Sequence, residues 1–283
     1  MELGWIRTKS DLSRRETCAI IAHADDTGLR HVHLPTITLG TLAGLPKSGR
    51  VSVSVQASTL SPQSPRAVAE ALRTACRVMD GRLVLTLSSG GSPATWAFNQ
   101  MLEALLVHNA DPLVKPDLSI EPRPGVLVLP DRGDAPDMRR AAGNGFHVMS
   151  PVWSAPSSVT RHWREIVLGA THALRRASLS QWHVARCVFV SEDRAKLDAY
   201  RTRIANAFPH HQISDVMITG PAAKVAYEIA KLRQRAGRFG VLQVIDPGFD
   251  LFEGRQQCER LVRDVVPIVR ADEFVKKQEM ERI

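Results

Sequence analysis

Residues Ser64–Ser88 read SPRAVAEALRTACRVMDGRLVLTLS, and this run decides the class of fold. Val68, Leu72, Ala75 and Met79 recur at three- and four-residue steps, while Arg66, Glu70, Arg73 and Arg77 fall on the opposite side. That period is an amphipathic helix with one face turned to a core. Pro65 suits its first turn, where the missing N–H is no loss, and Ser64 suits the N-cap. Past the turn at Asp80-Gly81, Arg82–Ser88 becomes nearly continuous in apolar residues. A strand without polar alternation is buried on both faces, as in a parallel sheet covered by helices.

The same alternation extends in both directions. Strand-length runs stand at Leu3–Thr8, Leu29–Pro35, Val51–Gln56, Gly125–Pro130, Phe146–Ser150, His183–Ser191 and Phe239–Asp246, which with Arg82–Ser88 makes eight. Helical periods lie between them, among them Ala195, Leu197, Tyr200 and Ile204 after Asp193, and Cys258, Leu261, Val262 and Val265 within Arg255–Ala271. Eight strands alternating with helices predict an α/β fold, a (β/α)8 TIM barrel. An open doubly wound sheet is the alternative, but no G-x-G-x-x-G follows the first strand. The Pro-rich stretches Asn109–Arg123 and Pro151–Ser158 read as loops within one domain, 1–283.

The length of 283 residues suits one barrel of roughly 250 residues. No window reaches the roughly 18 unbroken apolar residues of a membrane span, and Met1–Arg7 lacks the basic-then-apolar pattern of a secretory signal. A cytoplasmic protein without a membrane partner is the expectation. Cys18, Cys76, Cys187 and Cys258 are widely spaced, which suggests neither a disulfide framework nor a zinc knuckle. The net charge of +8 is spread over most helices and only 5% of residues are aromatic, unlike a nucleic-acid surface. No H-E-x-x-H and no G-x-S-x-G occurs, so zinc hydrolysis and α/β-hydrolase chemistry are disfavoured, and no metal is expected.

In such barrels the reactive groups sit at the C-terminal strand ends. That rule selects Trp5 and Arg7 on the first strand, His33 on the second, Gln56 on the third, and Ser88 and Ser89 on the fourth. It adds Asp131 and Arg132 after the fifth, Trp153 after the sixth, Arg186 on the seventh, and Gln243 and Asp246 on the eighth. His33 and Arg186 are the candidates for catalysis and the others for cofactor or substrate binding. A histidine near neutrality exchanges protons readily. His33 is equally readable as a core histidine, and Arg186 as half of an internal ion pair with Asp246. Trp153 suits either stacking on a planar ring or loop packing. Gln56 and Gln243 are polar residues in apolar strands, a common sign of ligand contact.

Four blocks resemble the bacterial luciferase-like flavin-dependent monooxygenases. They are Pro65–Glu70 followed by Met79-Asp80-Gly81-Arg82; Trp182–Ser191; Gly220-Pro221 with the later Gly237-Arg238-Phe239-Gly240; and Val266-Pro267-Ile268-Val269-Arg270. The resemblance implies a barrel that binds reduced FMN at its C-terminal mouth, uses O2, oxidises a small organic substrate and forms a homodimer. The chain departs from the family where many relatives carry Glu-His-His, since His33-Leu34-Pro35-Thr36 stands there. It departs again where relatives use Ser and Thr on the flavin phosphate, because this loop holds Asp131, Asp134 and Asp137, with Arg132, Arg139 and Arg140 to compensate. Two further readings therefore stay open. One is a cofactor-independent oxidase whose redox-active heterocyclic substrate occupies the flavin pocket. The other is a non-catalytic partner subunit.

Overall fold

The structure is a computed structural model, and it describes residues 1–8, 12–42, 44–45, 49–60, 63–88, 92–107, 124–130, 135–209 and 216–271. Strands β1 (Glu2–Arg7), β2 (His31–Leu34), β3 (Ser52–Gln56), β4 (Leu83–Ser88), β5 (Gly125–Leu129), β6 (His147–Ser150) and β7 (Trp182–Arg186) join β10 (Val241–Asp246) in a closed parallel barrel. Its order around the ring is β1-β10-β7-β6-β5-β4-β3-β2, so β1 to β6 each pair with the next strand in the chain, β7 pairs with β10, and β10 closes on β1. The helices outside are α1 (Arg14–Asp26), the short α2 (Leu39–Leu42), α3 (Pro65–Val78), α4 (Pro93–Val107), α5 (Ala135–Gly143), α6 (Pro156–His172), α7 (Arg194–Ala207), α8 (Ala222–Ala236) and α9 (Leu251–Arg260). A π-helical turn, Leu261–Val265, carries α9 onward. Among the described residues no helix is long and apolar enough to cross a membrane.

The run that suggested the fold behaves as its pattern requires. Ser64 accepts a hydrogen bond from the Ala67 N–H, Pro65 opens α3, and Val68, Leu72, Ala75 and Cys76 are buried. One face of each strand meets the helix layer, as Leu83, Leu85 and Leu87 do on β4, and these residues build the main core. The other face fills the barrel. The two faces alternate, so a one-residue change in position moves a side chain from barrel to helix layer.

Two expectations need correction. The expected seventh strand, His183–Ser191, is two strands. The barrel strand stops at Arg186, and β8 (Val188–Val190) leaves to pair in parallel with β9 (Ile218–Gly220), an element the apolar pattern did not single out. Cys187 is the break, buried between the two segments. Beyond it the rings of Phe189, Tyr200 and Phe249 pack together, with the first two stacked at 4.6 Å. The second correction concerns Pro151–Ser158, expected as loop throughout; its last part belongs to α6, with Pro156 in the first turn. Asn109–Arg123 lies outside the described residues.

Candidate active site

At the C-terminal mouth a cavity of about 250 Å³ is lined by Ile6 and Thr8 of the first strand and its end, His33, Ser88, Leu129, Pro130, Met149, Pro151, Val152, Trp153, Ala185, Phe208 and Ile245. Most of this wall is apolar. Such a surface favours a flat organic group and disfavours water, while the few polar groups fix orientation. His33, Ser88 and Trp153 are thus brought together as expected of strand-end residues. Thr8, at the end of the first strand, joins them, while Met149, Val152 and Phe208 carried no signal in the sequence.

His33 lies on the inward parity of β2, because Val32 and Leu34 face the helix layer. Its register partner on β3 is Ser54. The Ser54 hydroxyl is 3.3 Å from the Val32 carbonyl and 2.9 Å from His33 Nδ1, and Thr86 Oγ1 stands 3.3 Å from the same nitrogen. The tautomer that satisfies both Ser54 contacts has Ser54 donating to Val32 and His33 Nδ1–H donating to Ser54, which leaves Nε2 as a lone pair. Burial lowers the His33 pKa from 6.5 to about 4, and hydrogen bonding to Gln56 opposes the fall. This corrects the expectation of a histidine poised near neutrality. At pH 7 His33 is a neutral hydrogen-bonding group. Gln56 therefore acts on His33, and small polar residues at inward strand positions, Ser54 and Thr86, were the unused signal.

Three expected ligand residues face the helix layer instead. Trp5, Arg7 and Asp246 pack against α9, where Gly254 has no side chain because a Cβ would stand 2.7 Å from Trp5 Cζ2. Arg7 and Asp246 form a buried ion pair, each 1% exposed. The Arg7 guanidinium also donates to the Phe249 carbonyl at 3.2 Å, and Asp246 Oδ1 accepts from the N–H groups of Gly248 and Phe249 at 2.9 and 2.7 Å. Burial pushes the Asp246 carboxyl upward, and Arg7 with these N–H groups opposes it. These residues hold the end of the barrel to α9.

The expected pairing of Arg186 with Asp246 is likewise overturned, because Arg7 holds that carboxylate. Arg186 donates to the carbonyls of Ala185, Ser154 and Val152 at 2.7, 2.8 and 3.4 Å. Burial lowers its pKa to about 10, so it remains a cation at pH 7. It fastens the segment that carries Val152 and Trp153 to the cavity. Its hydrogen bonds place it behind the wall, and the catalytic expectation for it gives way to a positioning role. Gln243 faces inward as a ligand residue should, but it lies one inward step below the cavity and bonds His183. Ser89, Asp131 and Arg132 lie outside the described residues.

Among the described residues no group of His, Cys, Asp and Glu is arranged to hold a metal ion. No family model and no curated protein matches the chain. Solved structures do resemble it. The oxygenating constituent of 3,6-diketocamphane monooxygenase from Pseudomonas putida, a type II Baeyer-Villiger monooxygenase in complex with FMN, superposes with a TM-score of 0.74 at 18% identity, covering 94% of this chain and 98% of that one. A monooxygenase from Streptomyces bottropensis gives 0.71 at 14% identity over 94% and 99%. The coenzyme F420-dependent tetrahydromethanopterin reductase of Methanopyrus kandleri gives 0.65 at 14% over 94% and 98%. At these identities the likeness is one of architecture, and the chain has the luciferase-like β/α barrel fold that its sequence blocks implied.

Proposed function

We propose that the protein is an O2-using oxidoreductase, a flavin-dependent monooxygenase acting on a small, largely apolar organic substrate at the barrel mouth. The observation that carries this reading is the cavity itself: an apolar wall with Thr8, His33 and Ser88 as its polar points, set at the strand ends where barrels of this kind do chemistry. The fold's relatives include proteins described with FMN and with coenzyme F420.

A flavin ring fits these residues. Its flat face suits Ile6, Leu129, Met149, Ile245 and Trp153, and its polar edge suits neutral His33 and the Ser88 hydroxyl. The cavity is on the scale of the ring system, just below the roughly 300 Å³ at which sites for whole ligands begin. When bound, a reduced flavin supplies the electrons for O2 chemistry. The chain's own part is to exclude water with its apolar wall, to orient the bound ring through Trp153 and Val152, and to offer the neutral His33 imidazole as a hydrogen-bonding group.

A second reading, a cofactor-independent oxidase acting on a redox-active heterocycle, is favoured by one observation. Asp131, Asp134 and Asp137 follow β5, where a flavin phosphate would need cations. Anaerobic calorimetry with reduced FMN, followed by O2-uptake assays, separates the readings. Near-stoichiometric heat of binding supports the monooxygenase. No binding, with O2 uptake on reduced heterocycles alone, supports the oxidase. No uptake under any condition overturns both and leaves a non-catalytic subunit.

A further inference from the structure

The barrel holds a second polar centre, independent of the proposed function, at the end opposite the cavity. His31 on β2, His147 on β6, His183 on β7 and Gln243 on β10 all turn inward. The next inward residues along the same strands are His33, Met149, Ala185 and Ile245, and every one of them lines the cavity. Opposite Gln243 on β1 stands Gly4, whose next inward neighbour, Ile6, does the same. A largely apolar layer therefore separates the two centres.

The lower centre is a connected chain. His147 Nδ1 lies 2.9 Å from His183 Nε2, and His183 Nδ1 lies 2.9 Å from Gln243 Nε2. The His31 and His147 rings meet the His183 ring edge-on, with centroids 4.9 and 5.1 Å away. The Gln243 amide donates to His183 Nδ1, so His183 carries its proton on Nε2 and donates it to His147 Nδ1. His147 then holds its own proton on Nε2. Every imidazole in this chain is neutral. A proton added to either acceptor nitrogen sets two N–H groups against each other, unless the amide turns over. Gln243 Oε1 is buried without a hydrogen-bond partner and is the acceptor such a reversal would use. The surrounding charges sit to one side: Glu2 on β1 is 3.7 Å from His31 Nε2 and 3.6 Å from Arg30 Nε, and the Met1 amino group feels Glu2, Arg233 and Arg270. Among the described residues no carboxylate pairs with His147 or His183.

We propose that this His147–His183–Gln243 chain is a proton-sensitive seal, closing the N-terminal end of the barrel while neutral and releasing it on acidification. Burial, reinforced by the neighbouring histidines, lowers His147 from 6.5 to about 4 and His183 well below its ordinary value. In an opened pole both imidazoles titrate near 6.5, so the open form binds more protons as pH falls from 6.5 toward 4. The seal is at full strength above pH 6.5 and is lost on the way down. At pH 5 the His147 shift alone multiplies the population of the open form about thirtyfold.

The test is hydrogen exchange of the full chain at pH 7.5 and 5.0, corrected for intrinsic rates. Peptides covering 1–8, 147–150, 182–186 and 241–246 are expected to exchange at least tenfold faster at pH 5.0, while α3, which carries no histidine, changes little. His147→Leu should reduce the acceleration, and His147→Leu/His183→Leu should abolish it. Equal corrected rates at both pH values overturn the proposal, as does a His147→Leu/His183→Leu protein that keeps the acceleration. Should that variant not fold, imidazole 15N spectra of the unaltered protein decide. Titration of His147 and His183 displaced well below pH 6.5 is expected, and ordinary titration near pH 6.5 overturns it.

Discussion

Two arginines end two strands of the same barrel, each 1% exposed, and the protein neutralises them in different ways. Arg7, at the end of β1, is met by a full negative charge on Asp246 and is sealed under α9. Arg186, at the end of β7, is met by the carbonyl dipoles of Ala185, Ser154 and Val152. The first arrangement joins the closing strand pair of the barrel to a helix. The second fixes a segment of the cavity wall. A buried guanidinium therefore marks a place where backbone is being held, and its partners say which backbone.

The largest effect expected from that contrast comes from Asp246→Ala, which leaves Arg7 charged, buried and without its carboxylate. Urea unfolding should show a loss of about 3–5 kcal/mol. The double variant Arg7→Met/Asp246→Leu should recover most of it, because an apolar pair of similar volume removes both desolvation costs. A double variant as unstable as the single one would break the comparison, making α9 docking depend on the charges themselves. Arg186→Met should cost less, about 2–3 kcal/mol, since it leaves the Val152 and Ser154 carbonyls without their donor. It should also weaken ligand binding in the cavity, measured by calorimetry. Arg186→Lys keeps the charge but loses the planar fork, so its binding loss should approach that of Met.

Gly254→Ala probes the α9 side by shape alone. Its Cβ would meet Trp5 Cζ2 at 2.7 Å and the Arg7–Asp246 pair at 3.2 Å, and overpacking of this kind costs about 1–3 kcal/mol in thermal or urea unfolding. The smallest effect is that of mild acid. His33 at the mouth and His162, which bonds Ser150 at 3.0 Å behind the Arg186 segment, are both lowered by burial to about 4. Their folded pKa values lie below the unfolded 6.5, so their contribution is complete above pH 6.5 and declines toward pH 4. At pH 6 each should cost about 0.8 kcal/mol, read as a small fall in Tm that is absent between pH 7 and 8. A Tm that is flat down to pH 5 would show these imidazoles to be solvated.

The architecture was legible because barrel strands are buried on both faces. Runs such as Leu83–Leu87 and Val241–Ile245 carry that signature without long-range information. The break at Cys187 was not legible, since Val184–Val190, with Arg186 as its one charged residue, reads as a single strand and only the pairing partner changes. In the site, His33, Ser88 and Trp153 followed from the strand-end rule. Trp5, Arg7 and Asp246 did not, because alternation sends every second residue outward and the rule does not state the parity. Gln243 had the right parity and the wrong depth. A strand's pattern reports which face a side chain joins, while the level it occupies depends on barrel stagger.

Gly4 and Gln243 form a matched pair across adjacent strands. A Cβ at position 4 would stand 2.1 Å from Gln243 Oε1, so the amide fills the volume that any other residue at position 4 would claim. The two positions, 239 apart along the chain, thus constitute one heritable unit. In a directed-evolution library, enlarging position 4 should push the Gln243 amide off His183, so clones with a larger residue at position 4 should be enriched in smaller residues at position 243.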